Sequence, residues 1–249
     1  MTNHLNMDLL MRQKRVLFLT TSTGSGHMRA GEAIRETLCG ISSELKSKGE
    51  ISASLIAVIT DFDAHPYWFS KYVDEFIIPT EEMKEEFISY GIEANRIHAF
   101  GIPIHPGFSK TQNKLALKTK LGMRKDLPTI LVMGGGWGLG PIEKIVQHLN
   151  GSKMALQLII VAGKNEALYD KLKKISPEPN ISIKNFGYVN NIDELMEISD
   201  IAITKPGGLV ASELLTKGLP AVLIDVIDGQ ERANGNYLIS KGVACRIKK

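Results

Sequence analysis

Residues 204–225 read TKPGGLVASELLTKGLPAVLID. A β-branched run ends at Thr204, a Gly-Gly turn follows, and Leu209–Lys217 has the spacing of a short helix. A second turn then leads into a buried strand at Ala221–Ile224. Glycines at the mouth of a helix, with Glu213 one turn inside it, suit an anion that also carries hydroxyls. Helix N-terminal N–H groups and the macrodipole favour negative charge, and glycine lets the backbone come close to it.

The same alternation runs through the whole chain. Strand-like runs occur at Val16–Thr20, Leu55–Thr60, Glu75–Ile78, Ile97–Phe100, Ile130–Met133, Leu158–Ala162, Ile181–Phe186, Ile201–Thr204 and Val243–Ile247. Amphipathic stretches such as Met28–Leu38, Glu81–Tyr90, Pro141–Leu149 and Glu166–Ile175 lie between them. Short β-branched strands alternating with helices imply parallel sheets covered on both faces, a doubly wound α/β architecture. Thr80 reads as the N-cap of the Glu81–Tyr90 helix. The stretch GIPIHPGFSKTQNK, rich in Pro, Gly and polar residues, marks a boundary between Gly101 and Leu127. Residues 13–105 are expected to form one α/β unit and residues 120–249 a second.

Composition narrows the function. The 249 residues carry 30 Lys and Arg against 27 Asp and Glu, a net charge of +3, and only 6% aromatics, so no nucleic-acid partner is expected. Two cysteines, Cys39 and Cys245, make neither a disulfide framework nor a metal site and fit a reduced, cytoplasmic setting. No apolar run approaches the roughly 20 residues needed to span a bilayer. MDLLMRQKR near the start reads as a frayed terminus or a short amphipathic anchor.

Three glycine loops follow strands: Gly24 and Gly26 after the first, Gly134, Gly135, Gly136, Gly138 and Gly140 after Met133, and Gly207 and Gly208 after Thr204. The carboxyl ends of parallel strands are where open α/β sheets bind ligands. No phosphate-binding motif of the G-x-x-x-x-G-K-[ST] type occurs. Three such turns point to a phosphorylated ligand. Glu213 is suited to ribose hydroxyls, and Gln230, Glu231 and Asn234 in DGQERAN to sugar hydroxyls. His27, at the head of the first helix, could serve as a general base. Asp61 in ITDFDAHPYW could orient a base or an acceptor, and no metal site is expected there. Trp137 reads as packing or a loop cover rather than a cofactor contact.

With these motifs assembled, the chain resembles the diacylglycerol glycosyltransferases. That family includes the monogalactosyldiacylglycerol synthases and the bacterial processive diacylglycerol glucosyltransferases. The chain is similar, more distantly, to the peptidoglycan N-acetylglucosaminyltransferase. The resemblance rests on TSTGSGHMRAGEAI, VITDFDAHPYW, FIIPTEEMKEEFISYGIEANRIHAFGIPI, MGGGWGLGP, ITKPGGLVASELLTKGLPAVL and DGQERAN. It implies two Rossmann-like domains of the GT-B glycosyltransferase fold. The implied activity is transfer of a hexose from a UDP-sugar to diacylglycerol, with inversion and without a metal or other cofactor, at the inner membrane face. By that resemblance Gly207 and Gly208 meet the diphosphate, with Lys205 and Gly26 on the donor side and Gly135 and Gly136 lining the donor cleft. Phe186 presents backbone to the uracil, Glu213 holds the ribose, and Gln230, Glu231 and Asn234 serve the donor sugar. His27 and Asp61 lie toward the acceptor, and the choice of base between His27 and Glu231 stays open.

Two departures from the family stand out. GISSELKSKGEISAS takes the place of a longer segment in the first domain, and the chain stops at GVACRIKK where relatives continue. The first domain is therefore expected to be incomplete. A homologue that binds UDP-sugar without transferring it, or a UDP-sugar epimerase, are the alternatives.

Overall fold

The computed structural model describes residues 16–19, 41–65, 68–224 and 229–246. Chain contacts divide it into two compact units that meet in sequence at Ile102 and Pro103. His27, Gly24, Gly26, the Met28–Leu38 helix, Cys39 and the MDLLMRQKR segment lie outside the described residues.

The first unit carries four parallel strands in the order β1 (Val16–Leu19), β2 (Ser54–Val58), β3 (Glu75–Ile77) and β4 (Ile97–His98). Its core gathers Ile59, Val73, Phe76, Ile78, Phe87 and Ile97. Phe87, on helix α1 (Lys84–Ser89), is fully buried, with its ring edge-on to Phe69 at 4.7 Å and to Phe76 at 5.4 Å. The turn entering β3 is pinned by Asp74, whose carboxylate accepts from the Leu55 N–H at 2.6 Å and pairs with Lys46. Thr80 sits at the expected N-terminus with extended backbone, but its side chain makes no capping bond. The reason is local: the first turn, Glu81–Met83, is a 3-10 turn, so the N–H groups are presented differently from those of an α-helix.

The second unit holds a six-stranded parallel sheet in the order β10-β9-β8-β5-β6-β7. The strands are β5 (Thr129–Met133), β6 (Leu156–Val161), β7 (Ile181–Phe186), β8 (Ile201–Thr204), β9 (Ala221–Leu223) and β10 (Ala244–Arg246). Numbered within the unit, this is the 3-2-1-4-5-6 order of dinucleotide-binding sheets, with its switch point between β5 and β8. All six residues of β6 are buried, as a central strand covered on both faces requires. Val132, Leu158 and Ile160 pack with Ile142 and Val146 of α3 (Ile142–Asn150) and Leu172 of α4 (Glu166–Leu172). Helices α2 (Lys114–Lys120), α5 (Ile192–Ile198), α6 (Gly208–Lys217) and α7 (Gln230–Ser240) complete the unit.

The Pro-rich stretch after Gly101 is not a free linker. Lys114 pairs with Asp200 at 2.7 Å and Lys120 with Glu194 at 2.7 Å. Lys217 donates to the Lys110 carbonyl at 3.1 Å and pairs with Glu197 at 2.6 Å. These bonds tie residues 103–120 to the second unit.

Candidate active site

The switch point puts two glycine loops side by side at the carboxyl end of the sheet. β5 and β8 pair from Ile130↔Ile201 to Val132↔Ile203, so Gly134–Gly136 and Lys205–Gly208 leave adjacent strands. Helix α6 starts at Gly208, with Gly207 as its N-cap at φ −65°, ψ 149°. Among the described residues no side chain caps that end. A Cβ added to Gly207 would meet nothing within 4 Å among the described residues. The same holds for Gly136, whose φ is not positive. Neither glycine is demanded by backbone strain or by neighbouring described atoms, and both leave room for a ligand at the main chain.

Lys205 is buried at the foot of this turn, and its ammonium lies 3.4 Å from the Glu231 carboxylate. The two side chains are only 6% and 13% exposed, so the charges hold each other in a poorly solvated place. Glu231 lies in the first turn of α7 beside half-buried Gln230, and Asn234, one turn on, is fully buried. The structure thus brings together Lys205, Gly207, Gly208 and Glu231.

Glu213 projects from α6 into a half-buried position. Burial, with a further push from the nearby Asp193 carboxylate, raises its carboxyl to about 7. Among the described residues its oxygens accept no hydrogen bond, which leaves them for a donor from outside the chain. Asp193 is in the first turn of α5, against Gly107, where a Cβ would come within 2.5 Å of the Asp193 carboxylate and 2.9 Å of His105 Nδ1. Sequence reasoning missed Asp193, since nothing in its local pattern shows that α5 brings it toward α6.

Phe186 ends β7, but its carbonyl accepts from the Ala162 N–H at 2.9 Å as part of the sheet. Gly187, the next residue, has no backbone hydrogen bond among the described residues. The loops after β5, β6 and β7 touch one another. A Cβ on Gly187 would lie 3.9 Å from the Gly163 carbonyl, and one on Gly163 would collide with the Gly136 carbonyl. Trp137 is neither packed nor buried. It is 58% exposed, with the Lys164 ammonium 5.3 Å from its ring centroid. Lys164 escaped the sequence reading, although Gly163-Lys164-Asn165 directly after a strand is the signal of a βα turn.

In the first unit Asp61 is buried just past the carboxyl end of β2. Among the described residues no three His, Cys, Asp or Glu side chains gather as a metal site would require. No described helix is long and apolar enough to cross a membrane.

Two parallel units, the second with a nucleotide-type switch point, define the class: the protein has the GT-B glycosyltransferase fold. Solved structures agree on that fold. The chain is similar to MurG of Acinetobacter baumannii, with TM-score 0.56 and 12% identity over 98% of this chain and 74% of that one. It is similar also to the UDP-GlcNAc 2-epimerase of Neisseria meningitidis, with TM-score 0.61 and 13% identity over 95% and 65%. Residues 37–104 match the monogalactosyldiacylglycerol (MGDG) synthase family and residues 129–249 the glycosyltransferase family 28 C-terminal domain. A processive diacylglycerol beta-glucosyltransferase of Bacillus cereus is 36% identical over 206 residues, which is 82% of this chain and 53% of that protein. One of Bacillus cytotoxicus is 35% identical over 207 residues, 83% and 53%. The chain belongs to the diacylglycerol glycosyltransferase family, and it spans about half the length of these relatives.

Proposed function

We propose that this chain binds a UDP-sugar at the β5–β8 switch point and transfers its hexose to diacylglycerol, giving a glycolipid. The observation that carries the reading is the turn after β8, where a helix N-terminus uncapped among the described residues, a glycine that no described atom obstructs and a buried lysine converge. The α6 N–H groups, together with Lys205, would stabilise the charge that develops on the departing UDP, so the resident machinery needs no metal. Glu213 would accept from the ribose hydroxyls. Gln230, Asn234 and Glu231 would hold the sugar, with the Glu231 carboxylate positioned by its 3.4 Å pairing with Lys205. An acceptor hydroxyl attacking from the opposite side of the anomeric carbon would lose its proton to His27 or Glu231, with Asp61 as an orienting partner. The acceptor is a membrane lipid, so the protein would work peripherally at the inner face of the membrane.

The relatives' printed activity supports transfer of a glucosyl group to diacylglycerol. The test is calorimetric titration of the chain with UDP, followed by incubation with UDP-hexose and diacylglycerol vesicles. Saturable binding with glycolipid formation supports the full reading. Binding without glycolipid reduces the protein to a nucleotide-sugar binder, and UDP-sugar isomerised without acceptor would make it an epimerase. Absence of UDP binding by a folded chain overturns the proposal.

A further inference from the structure

Gly107 is buried in the 3-10 turn Pro106–Ser109, and its φ is not positive. Backbone conformation therefore does not call for a glycine there. What calls for it is a neighbour: a Cβ at 107 would lie 2.5 Å from an Asp193 carboxylate oxygen and 2.9 Å from His105 Nδ1. The Asp193 carboxylate fills the place that a side chain at 107 would take. The Pro106–Ser109 turn and α5 both pack on α6, the helix that carries Glu213. At its far end Lys217 fastens all three, donating to the Lys110 carbonyl and pairing with Glu197 of α5.

Asp193 and Glu213 are both half-buried, and neither has a hydrogen bond or ion pair among the described residues. The other carboxylates on α5 and at the start of α7 are compensated. Glu194 pairs with Lys120, Glu197 with Lys217 and Glu231 with Lys205. His105 turns its Nδ1 to the Gly107 N–H at 3.1 Å, Lys110 follows the turn, and Arg232 lies on α7. Asp193 stands in the first turn of α5, where a helix favours negative charge, and that charge bears on Glu213. We infer that Asp193 is a positioning residue for donor binding: seated against Gly107 and facing Glu213, it keeps a proton on the Glu213 carboxyl until ribose hydroxyls replace it. The proton leaves to solvent as those hydroxyls donate to the carboxylate. This rests on the reading of Glu213 as the ribose carboxylate and adds the residue that governs its charge.

The test is calorimetric titration of the full chain with UDP at pH 6, 7 and 8, for wild type and Asp193→Asn. The quantity read is the ratio of the two affinities at each pH, in which the ionisation of UDP itself cancels. A carboxyl at about 7 is only about one-tenth ionised at pH 6, so removing the Asp193 charge should tighten binding there several-fold, up to a ceiling of about tenfold. The ratio should approach one by pH 8. Asp193→Ser should repeat this result, and Asp193→Glu, which restores the charge, should return the profile toward that of the wild type. In a Glu213→Gln background the same Asp193→Asn change should give a ratio that does not vary with pH. Weaker binding by Asp193→Asn at every pH would make Asp193 merely structural and overturn the inference, as would a ratio of one throughout while wild-type affinity still rises with pH. A folded wild type that binds no UDP, or binds it equally at all three pH values, overturns the ribose reading and the inference with it.

Discussion

The loops after β5 and β8 flank the same crevice, and both are rich in glycine for different reasons. In the first, a Cβ on Gly134 would overlap the Leu139 carbonyl, and one on Gly138, at φ +57°, would overlap that of Ala162. Those glycines exist so that the chain can pass close to itself. Gly207 in the second loop has ordinary extended backbone and open space around it. Its smallness serves nothing among the described residues, which is why it points to a ligand. A run of glycines in sequence mixes the two kinds, and only the surroundings of each one separate them.

The largest effect expected from this contrast is on stability. Gly138→Ala must place a side chain at positive φ against backbone that cannot yield, a cost of about 3–5 kcal/mol. At about 2–4 °C per kcal/mol for a chain of this size, the thermal midpoint should fall by roughly 6–20 °C. Gly207→Ala should leave it within about 2 °C while weakening UDP binding. Equal losses of stability in both variants would erase the distinction.

Glu213 sharpens the comparison by pH. Its carboxyl is raised to about 7 in the fold, mainly by burial and then by Asp193, so the folded state holds a proton that the unfolded chain releases near 4.5. The stabilising contribution of that proton is complete below about 4.5 and is lost as pH rises through about 7. A shift of this size corresponds to at most about 3 kcal/mol. Denaturant titrations between pH 5 and 8 should show stability falling with pH, and Glu213→Gln should flatten the fall. Donor binding should run the other way. The carboxylate accepts ribose hydroxyls better than the acid, so UDP-hexose affinity should rise toward pH 8. In Glu213→Ala affinity should drop by about 1.5–3 kcal/mol, the range for a hydrogen bond to a charged group. Affinity that is flat with pH in the wild type would remove Glu213 from the ribose.

Much of the fold was legible in the sequence because β-branched runs announce buried parallel strands; all ten strands fall within two residues of their expected bounds. Strand order was not legible: β5 pairs with β8 rather than with its successor alone, a long-range choice that local pattern does not encode. The turn after β8 was readable because its glycines, lysine and glutamate are close in sequence. The Lys205–Glu231 pair was not, since it depends on α7 packing beside α6. Thr80 misled because capping chemistry presumes an α-turn, and a 3-10 turn follows it.

A smaller effect is expected where the β6–α4 turn clamps its neighbour. Asn165 accepts from the Leu168 N–H at 2.9 Å as the cap of α4 and donates to the Gly138 carbonyl at 3.3 Å. Asn165→Ala should cost about 1–2 kcal/mol, more than a cap alone typically contributes if the second bond holds the loop. A loss of only a few tenths would mean that the Gly138 loop keeps its shape without this clamp.

The smallest stability change carries the sharpest reading. Gly207 already has the extended backbone of an N-cap, and its Cβ position is open. Serine there could accept from an N–H in the first turn of α6, a bond that glycine cannot make, and cap preferences put the gain at a few tenths of a kcal/mol. Gly207→Ser should therefore raise the thermal midpoint by about 1 °C. The same hydroxyl would occupy the N–H groups and the space proposed for the diphosphate, so UDP affinity should fall at least several-fold. A protein made slightly more stable and a poorer binder by one residue would show that this helix end is left uncapped for its ligand. If Gly207→Ser gains the stability and keeps its affinity, the diphosphate does not sit on α6.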